Sequence, residues 1–171
     1  QVKGSDNVDL STYAGLYHQV ATDQTHRIQL RNGKLAVESL EVVATGPNTL
    51  EDTRGTVKVE ASERDGTIQL RVQPRNDVAF EIVKVEEVKP TNAQLEEYAG
   101  SYTSPELGVN YHISANNGGL VVKRRLQSEL ILAPAFKDAF SNFGTWVFTR
   151  DAGGKVNGLL YPQGRVRRVR D

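Results

Sequence analysis

The sequence predicts an all-β protein made of two tandem small antiparallel meander β-barrels. Three observations lead to this prediction. An internal repeat divides the 171 residues into two copies of about 80 residues each. Within each copy, apolar and polar residues alternate with a period of two, as they do in strands with one buried face. Turn residues separate these segments about every ten residues, and such a meander must curl or close to bury its inner face. One larger barrel or sandwich formed by both copies is the alternative arrangement.

The repeat is carried by a motif that contains two tyrosines. Leu10–Tyr17 recurs as Leu95–Tyr102, a shift of 85 residues that persists through the next two strand-like segments. Further along, an offset of 89 aligns Gly55–Val59 with Gly144–Phe148, which indicates that a loop changed length. Because Pro90 stops a strand and its neighbours are polar, the copies are expected to divide there. The predicted organisation is a flexible N-terminal extension (1–8), a first barrel (9–88), a linker (89–94) and a second barrel (95–171).

The elements of the first copy follow from local patterns. Leu10–Ala14 is a single helical turn that Ser11 can cap. Alternation then predicts strands at His26–Leu30, Thr56–Glu60, Thr67–Val72 and Phe80–Val85. The sequences Asn32-Gly33 and Asp65-Gly66 tolerate positive φ and predict tight hairpin turns.

The second copy repeats this order. Gln94–Ala99 forms the helical turn, with Thr91 as its cap. The predicted strands are Val109–Ser114, Gly119–Lys123, Leu130–Leu132, Thr145–Thr149, Val156–Tyr161 and Arg165–Val169. The range 133–144 is expected to be the longest irregular stretch, a loop that covers the barrel end or contacts a neighbouring domain.

Composition narrows the class of protein. With 38% hydrophobic and 25% charged residues, the chain is not a disordered polymer, and no apolar run approaches the roughly 18 residues of a membrane-spanning helix. The absence of cysteine leaves the redox compartment open, so a cytoplasmic location is not excluded. There is no methionine and the chain begins at Gln1, so we expect a piece of a longer protein.

Charge argues against nucleic acid as a partner. The 21 basic residues balance 21 acidic ones, whereas phosphate binding needs a basic field. The basic sets Lys123–Arg125 and Arg165–Arg170 could suggest phosphate contacts, but Arg165 and Arg167 alternate with Val166 on a terminal strand. Their positive charge is interpreted instead as a guard that prevents pairing between sheet edges.

No motif for catalysis is present. A serine followed three residues later by lysine, the Gly-x-Ser-x-Gly elbow, the zinc motif His-Glu-x-x-His and glycine-rich phosphate loops are all missing. His18 and His26 can meet across a hairpin, but no acidic residue is spaced to join them in a metal site. The sequence therefore predicts no catalytic residue, no metal and no cofactor.

Aromatic residues concentrate in the second copy and suggest two kinds of site. Large rings at a barrel mouth can form an apolar ligand cleft, for which the candidates are Tyr98, Tyr102 and Trp146; packing of the barrel interior is the alternative. A docking surface for another domain is the second possibility, with Phe136, Phe140 and Phe143 as its candidates.

The second copy also resembles a known family. The segments that carry the resemblance are Leu95–Tyr102, Tyr111–Ile113, Gly119-Leu120, Leu132–Pro134 with Asp138–Phe140, and Val147–Asp151 with Gly154–Val156. They are similar to the lipocalin-like C-terminal domain of unknown function that is attached to β-lactamase-like (penicillin-binding, class C type) serine hydrolases and peptidases. The first copy matches at its Tyr-Ala-Gly start but has Val57-Lys58-Val59 in place of an aromatic strand.

The resemblance implies a small, usually bacterial and exported barrel that packs near a separate catalytic domain without supplying its nucleophile. The expected function is thus a non-catalytic accessory module of a larger serine hydrolase or peptidase, located in the periplasm or secreted. Its partner would be the catalytic domain of the same parent chain, where it shapes substrate access or mediates docking. The alternative is a free-standing carrier that binds a small apolar ligand in a barrel cavity.

Overall fold

The computed structural model describes residues 8–37, 40–142, 144–161 and 164–169, with the backbone alone for 161 and 164–167. Within these residues the strands form two antiparallel sheets, each closed into a barrel. The first compact unit ends at Val85 and the second begins at Glu86. This confirms two tandem barrels instead of one larger barrel or sandwich. Of the predicted extension 1–8, only Val8 is described, and it packs against the core of the first barrel.

The first barrel is a meander in which each strand pairs with the next. Because β1 pairs with both β2 and β8, the sheet closes on itself. Its strands are β1 (Gly15–Gln19), β2 (Gln24–Arg31), β3 (Lys34–Val37), β4 (Leu40–Gly46), β5 (Thr49–Asp52), β6 (Val57–Arg64), β7 (Thr67–Pro74) and β8 (Phe80–Val85).

The second barrel repeats this topology. Its strands are β9 (Gly100–Ser104), β10 (Val109–Asn116), β11 (Gly119–Arg124), β12 (Leu130–Phe136), β13 (Ala139–Ser141), β14 (Thr145–Arg150), β15 (Val156–Tyr161) and β16 (Gly164–Arg168). Closure occurs between β16 and β9, where Arg168 lies opposite Tyr102. Since β16 also pairs with β15, its arginines lie on a strand with two neighbours, and the prediction that they guard an exposed edge is wrong.

The hairpin turns form as their sequences predict. Asn32 and Gly33 have φ values of +50° and +75°, and Asp65 and Gly66 have +52° and +75°. Two successive positive φ values define the tight turn whose twist matches the flanking strands.

A short helical segment precedes each barrel. The 3₁₀ helix Leu10–Tyr13 is capped by Asp9, whose carboxylate accepts a hydrogen bond from the Ser11 amide at 3.0 Å, so the expected cap at Ser11 is wrong. The helix α1 (Asn92–Glu96) begins inside the predicted linker 89–94 and is capped by Thr91 as expected. None of the helices in the described residues is long and apolar enough to cross a membrane.

Both repeats anchor this helical segment through the two tyrosines of the motif. The Tyr17 hydroxyl donates a hydrogen bond to the Tyr13 carbonyl at 2.9 Å, and the Tyr102 hydroxyl donates to the Tyr98 carbonyl at 2.7 Å. Both hydroxyls are buried, and burial raises the pKa of Tyr102 to about 12. The two tyrosines therefore stay neutral donors that fix the chain at the entrance to each barrel.

A glycine and a basic side chain complete this shared device. Gly15 and Gly100 have φ values of +143° and +145°, a region that side chains with a Cβ rarely adopt. A Cβ at Gly100 would lie 2.9 Å from Nε of Arg168, whose guanidinium donates to carbonyls at the end of the helical segment. Lys84 does the same in the first barrel, donating to the Thr12 carbonyl at 2.7 Å. Equivalent residues thus have equivalent surroundings, as duplication of an ancestral barrel requires.

The range 133–144 is not the loop that the sequence predicts. It contains the end of β12 and all of β13, and the pairing register shifts between Pro134 and Phe136. A proline lacks the amide hydrogen that a regular ladder needs, and a bulge accommodates it. The proline concealed a strand because it interrupts the alternation on which the prediction depended.

Candidate functional site

The first barrel contains an apolar cavity of about 280 Å³. It lies among the inward side chains of the strands, including Leu35, Leu50, Val59, Leu70 and Ile82. At one end the barrel is closed by the 3₁₀ helix, whose Tyr13 belongs to the same buried cluster as Tyr17 of β1. The mouth of the cavity lies at the opposite end of the barrel. It is lined by residues at the start of β2, β4, β6 and β8 and at the end of β3, β5 and β7.

The register of the strands explains why this barrel is hollow. Leu50 lies opposite Val59 in β5 and β6, and Phe140 lies opposite Trp146 in β13 and β14. The amide of Ala61 donates to the Asn48 carbonyl, just as the amide of Phe148 donates to the Asp138 carbonyl. Val59 therefore corresponds to Trp146, and Ala61 to Phe148, an offset of 87 instead of the predicted 89.

These correspondences set the interior volume of each barrel. Leu50, Val59 and Ala61 stand where the second barrel has Phe140, Trp146 and Phe148. Each replacement removes an aromatic ring from the interior. Because protein interiors are closely packed and relax only partly around a smaller side chain, the loss of a ring leaves empty space. Of these three positions, Leu50 and Val59 line the cavity, so it forms where this repeat lacks the rings of Phe140 and Trp146.

The polar side chains beside the cavity mouth are occupied within the fold. Asp52 is buried, and its carboxylate accepts hydrogen bonds from the Val57 amide at 2.7 Å, the Thr56 hydroxyl at 2.9 Å and the Thr56 amide. Burial acts to raise the pKa of Asp52, but these hydrogen bonds outweigh it and hold the pKa below its usual value. His26 Nε2 lies 3.1 Å from Gln19 Oε1. A ligand inside would accordingly meet mostly apolar surface.

The second barrel is filled by aromatic rings. Trp146, Tyr102 and Phe148 are buried in its core, together with Tyr98 and Phe140. Phe148 makes edge contacts with Tyr98 and Tyr102 at centroid distances of 5.0 and 5.7 Å. Such edge-to-face pairs are favourable beyond the area they bury.

The three predicted ligand-binding residues belong to this packed core. Tyr102 is fully buried and packs in the core of the second barrel. Tyr98 and Trp146 border separate surface pockets at different places in the second barrel. The structure therefore does not bring Tyr98, Tyr102 and Trp146 together around one cleft, and the apolar cavity lies in the other repeat.

Tyr98 instead belongs to a polar network at the helical end of the second barrel. Its hydroxyl donates to Asp138 at 2.8 Å, and Arg150 contacts both Asp138 at 2.8 Å and Glu97 at 2.9 Å. Burial acts to raise the pKa of Asp138, but the hydrogen bonds from Arg150 and Tyr98 lower it below its usual value. Since every charge in the network has a partner, its role is to hold α1 against the barrel.

The predicted docking phenylalanines differ in exposure. Phe140 is 2% exposed and packs in the core, so its assignment to a docking surface is wrong. The sequence pattern predicts a loop at Phe140, whereas this residue lies on β13 and faces inward. Phe136 is half-buried on β12, where it pairs with Glu87 through an isolated bridge. Phe143 lies outside the described residues.

The histidines do not assemble a metal site in the described residues, where no group of three metal-ligating side chains occurs. His18 Nε2 lies 3.2 Å from Asp23 Oδ1, whereas His26 faces Gln19. His112 is exposed, as the alternation of β10 predicts.

Comparisons with known proteins add little to this geometry. No protein-family model and no curated protein matches the chain. Among solved structures, a crystal structure of SurE with D-Leu is 15% identical, with a TM-score of 0.39 over 76% of this chain. The match spans 38% of the SurE chain, and a similarity this low supports no statement about function.

Proposed function

We propose that the chain is a non-catalytic binding protein whose first barrel holds a small apolar ligand. One observation carries the proposal: the interior of the first barrel is an apolar cavity of about 280 Å³ where the second barrel holds aromatic rings. Ligand sites are typically concave, mostly apolar and few per protein. An empty space of this size otherwise costs stability, which a bound ligand would restore.

The size of the cavity defines the class of ligand. An engineered apolar cavity of about 150 Å³ binds benzene, and the present cavity is 280 Å³. A compact bicyclic hydrocarbon skeleton with about ten non-hydrogen atoms fits by this proportion. The ligand is neutral, because a charge inside would lose its hydration without gaining a partner, and the carboxylate of Asp52 lies at the cavity wall.

The affinity follows from the apolar area such a ligand removes from water. An area of roughly 150–250 Å² at about 25 cal/mol per Å² gives about 4–6 kcal/mol. This corresponds to a Kd between about 2 mM and about 30 µM. Binding in this range is measurable by titration.

Methyl NMR spectroscopy tests the proposal with indole, a soluble bicyclic probe. We expect saturable shifts of the methyl groups of Leu35, Leu50 and Val59, which line the cavity. The buried methyl groups of Leu120 and Leu132 in the second barrel serve as the internal control and should not shift. The proposal fails if the cavity methyl groups show no saturable shift, or if both sets shift alike.

A second role is proposed for the other barrel, as an accessory module that docks against the catalytic domain of a β-lactamase-like serine hydrolase or peptidase. The resemblance of Leu95–Tyr102 and Val147–Asp151 to such domains supports it. The packed interior and the exposed side chains of Ile131 and Leu126 also favour a surface role over an interior one. The location would be periplasmic or secreted.

The reading frame that encodes this chain tests the accessory role. We expect the same frame to encode a domain with a serine followed three residues later by lysine. A frame in which a signal peptide leads directly to Gln1, with no such domain, would contradict this role and leave ligand binding by the first barrel untouched.

A further inference from the structure

The second barrel has a distinct pocket at the end away from its helical segment. The pocket has a volume of about 400 Å³ and lies where β10 begins and β11 ends. Its apolar wall is formed by Tyr111 and Trp146, whose rings meet edge to face at a centroid distance of 5.5 Å. Its polar wall is formed by Arg124, Arg125 and Gln127. These rings close the barrel end, so the pocket is a surface recess above the core.

The arginines of this recess lack counter-ions in the described part of the chain. The neighbouring Lys123 has Glu129 at 3.2 Å, but no described carboxylate lies within 4.0 Å of Arg124 or Arg125. Arg124 lies opposite Tyr111 in the β10–β11 ladder and is half-buried. Its Nε is buried and donates to no described acceptor. A partly buried guanidinium is always charged and favours an anion that completes its hydrogen bonds.

A strained backbone lies at the rim of the same recess. Leu126 follows the two arginines with a φ of +58°, a conformation that is costly for a bulky side chain. Its side chain is 95% exposed. Strain of this kind is concentrated at functional sites. Here it lies in the turn between Arg125 and Gln127, which both line the recess.

We propose that this recess binds a monocarboxylate with a flat aromatic body. The planar fork of Arg124 matches the two oxygens of a carboxylate, and Gln127 offers further amide donors. Tyr111 and Trp146, which line the recess, provide apolar contacts for the ring. A recess of about 400 Å³ is large enough to admit an aromatic ring together with its carboxylate. Two arginines on a chain of zero net charge do not provide the basic field that a nucleic acid requires.

The single tryptophan of the chain makes the site directly observable. Trp146 lines the recess, so its fluorescence reports binding there. The probe is 4-nitrobenzoate, whose nitroaryl ring quenches tryptophan, and the control is 4-nitrobenzamide, which has the same shape without charge. We expect saturable quenching by the carboxylate, binding at least about tenfold weaker for the amide, and weakening of the carboxylate complex with added salt.

Two variants separate the site from a general charge effect. Arg124→Gln should weaken 4-nitrobenzoate binding about ten- to a hundredfold, because it removes the charged fork. Arg71→Gln makes the same change of charge at an exposed position of the first barrel and should bind normally. If Arg124→Gln does not fold, Arg124→Lys keeps the charge without the fork and should still bind more weakly than the unmodified protein.

The proposal is overturned by any of three results. Quenching that does not saturate would show collision without binding. Equal affinity for the acid and the amide would show that the arginines do not recognise charge. Unchanged affinity in a folded Arg124 variant would place the anion elsewhere.

Discussion

Filling the first barrel with the residue that the second barrel uses should abolish ligand binding. Val59→Trp places the ring of Trp146 at its corresponding position, opposite Leu50. The added ring buries on the order of 100 Å² more than valine, a gain of about 2.5 kcal/mol at 25 cal/mol per Å². Overpacking costs about 1–3 kcal/mol. The free energy of unfolding should therefore change by less than about 2 kcal/mol, while the ligand loses its space and its whole 4–6 kcal/mol of binding free energy.

The assay is titration with indole followed by methyl NMR, with stability measured by urea denaturation. Val78→Trp is the matched control, because it adds the same ring to the same barrel at a position that is 81% exposed. We expect the control to bind like the unmodified protein and Val59→Trp to show no saturable shift. Undiminished binding by a folded Val59→Trp protein would refute the assignment of the cavity.

Three further predictions concern what holds the barrels together. Asp138→Asn should lower Tm at pH 7 and reduce the fall of Tm in acid. The pKa of Asp138 is lowered in the folded protein, so the pairing of its carboxylate with Arg150 stabilises the fold above about pH 4. This stabilisation is lost as the pH falls through the folded pKa. Thermal melts from pH 7 to pH 2 test this, and an unchanged slope contradicts it. Tyr102→Phe should cost about 1–2 kcal/mol in urea denaturation, because a buried carbonyl loses its donor, and Tyr17→Phe should cost about the same. Trp146→Val should cost about 3–5 kcal/mol and let indole enter the second barrel; a cost below about 1 kcal/mol would show that Trp146 does not fill it.

The fold was largely predictable from the sequence because its signals are local. Alternation with a period of two locates most strands, and Asn32-Gly33 and Asp65-Gly66 fix two hairpins. The constant shift of 85 residues between Leu10–Tyr17 and Leu95–Tyr102 indicates the duplication directly. The sequence does not predict β13, because this strand has only three residues and the bulge between Pro134 and Phe136 interrupts the alternation just before it.

The candidate site was less predictable, since it depends on which side chains meet across strands. The aromatic residues of the second copy suggested a cleft, but rings that face inward fill a barrel. The informative signal was the opposite one, small side chains such as Val59 and Ala61 where the other copy has rings. To find these positions one must know the pairing register between β5 and β6. The sequence predicts an offset of 89 between the two copies in this region, which differs by two residues from the offset in the structure and therefore aligns the wrong side chains. The recess at Arg124 likewise depends on a cross-strand pairing with Tyr111.

Xenon under pressure provides the most direct measurement of the difference between the two barrel interiors. Dry apolar cavities bind this atom without needing a specific contact, so a crystal of the protein in xenon reports where such space exists. We expect an anomalous scattering peak among Leu35, Leu50 and Val59, and none in the core around Trp146. A first barrel without xenon, or equal occupancy of both interiors, would contradict the account.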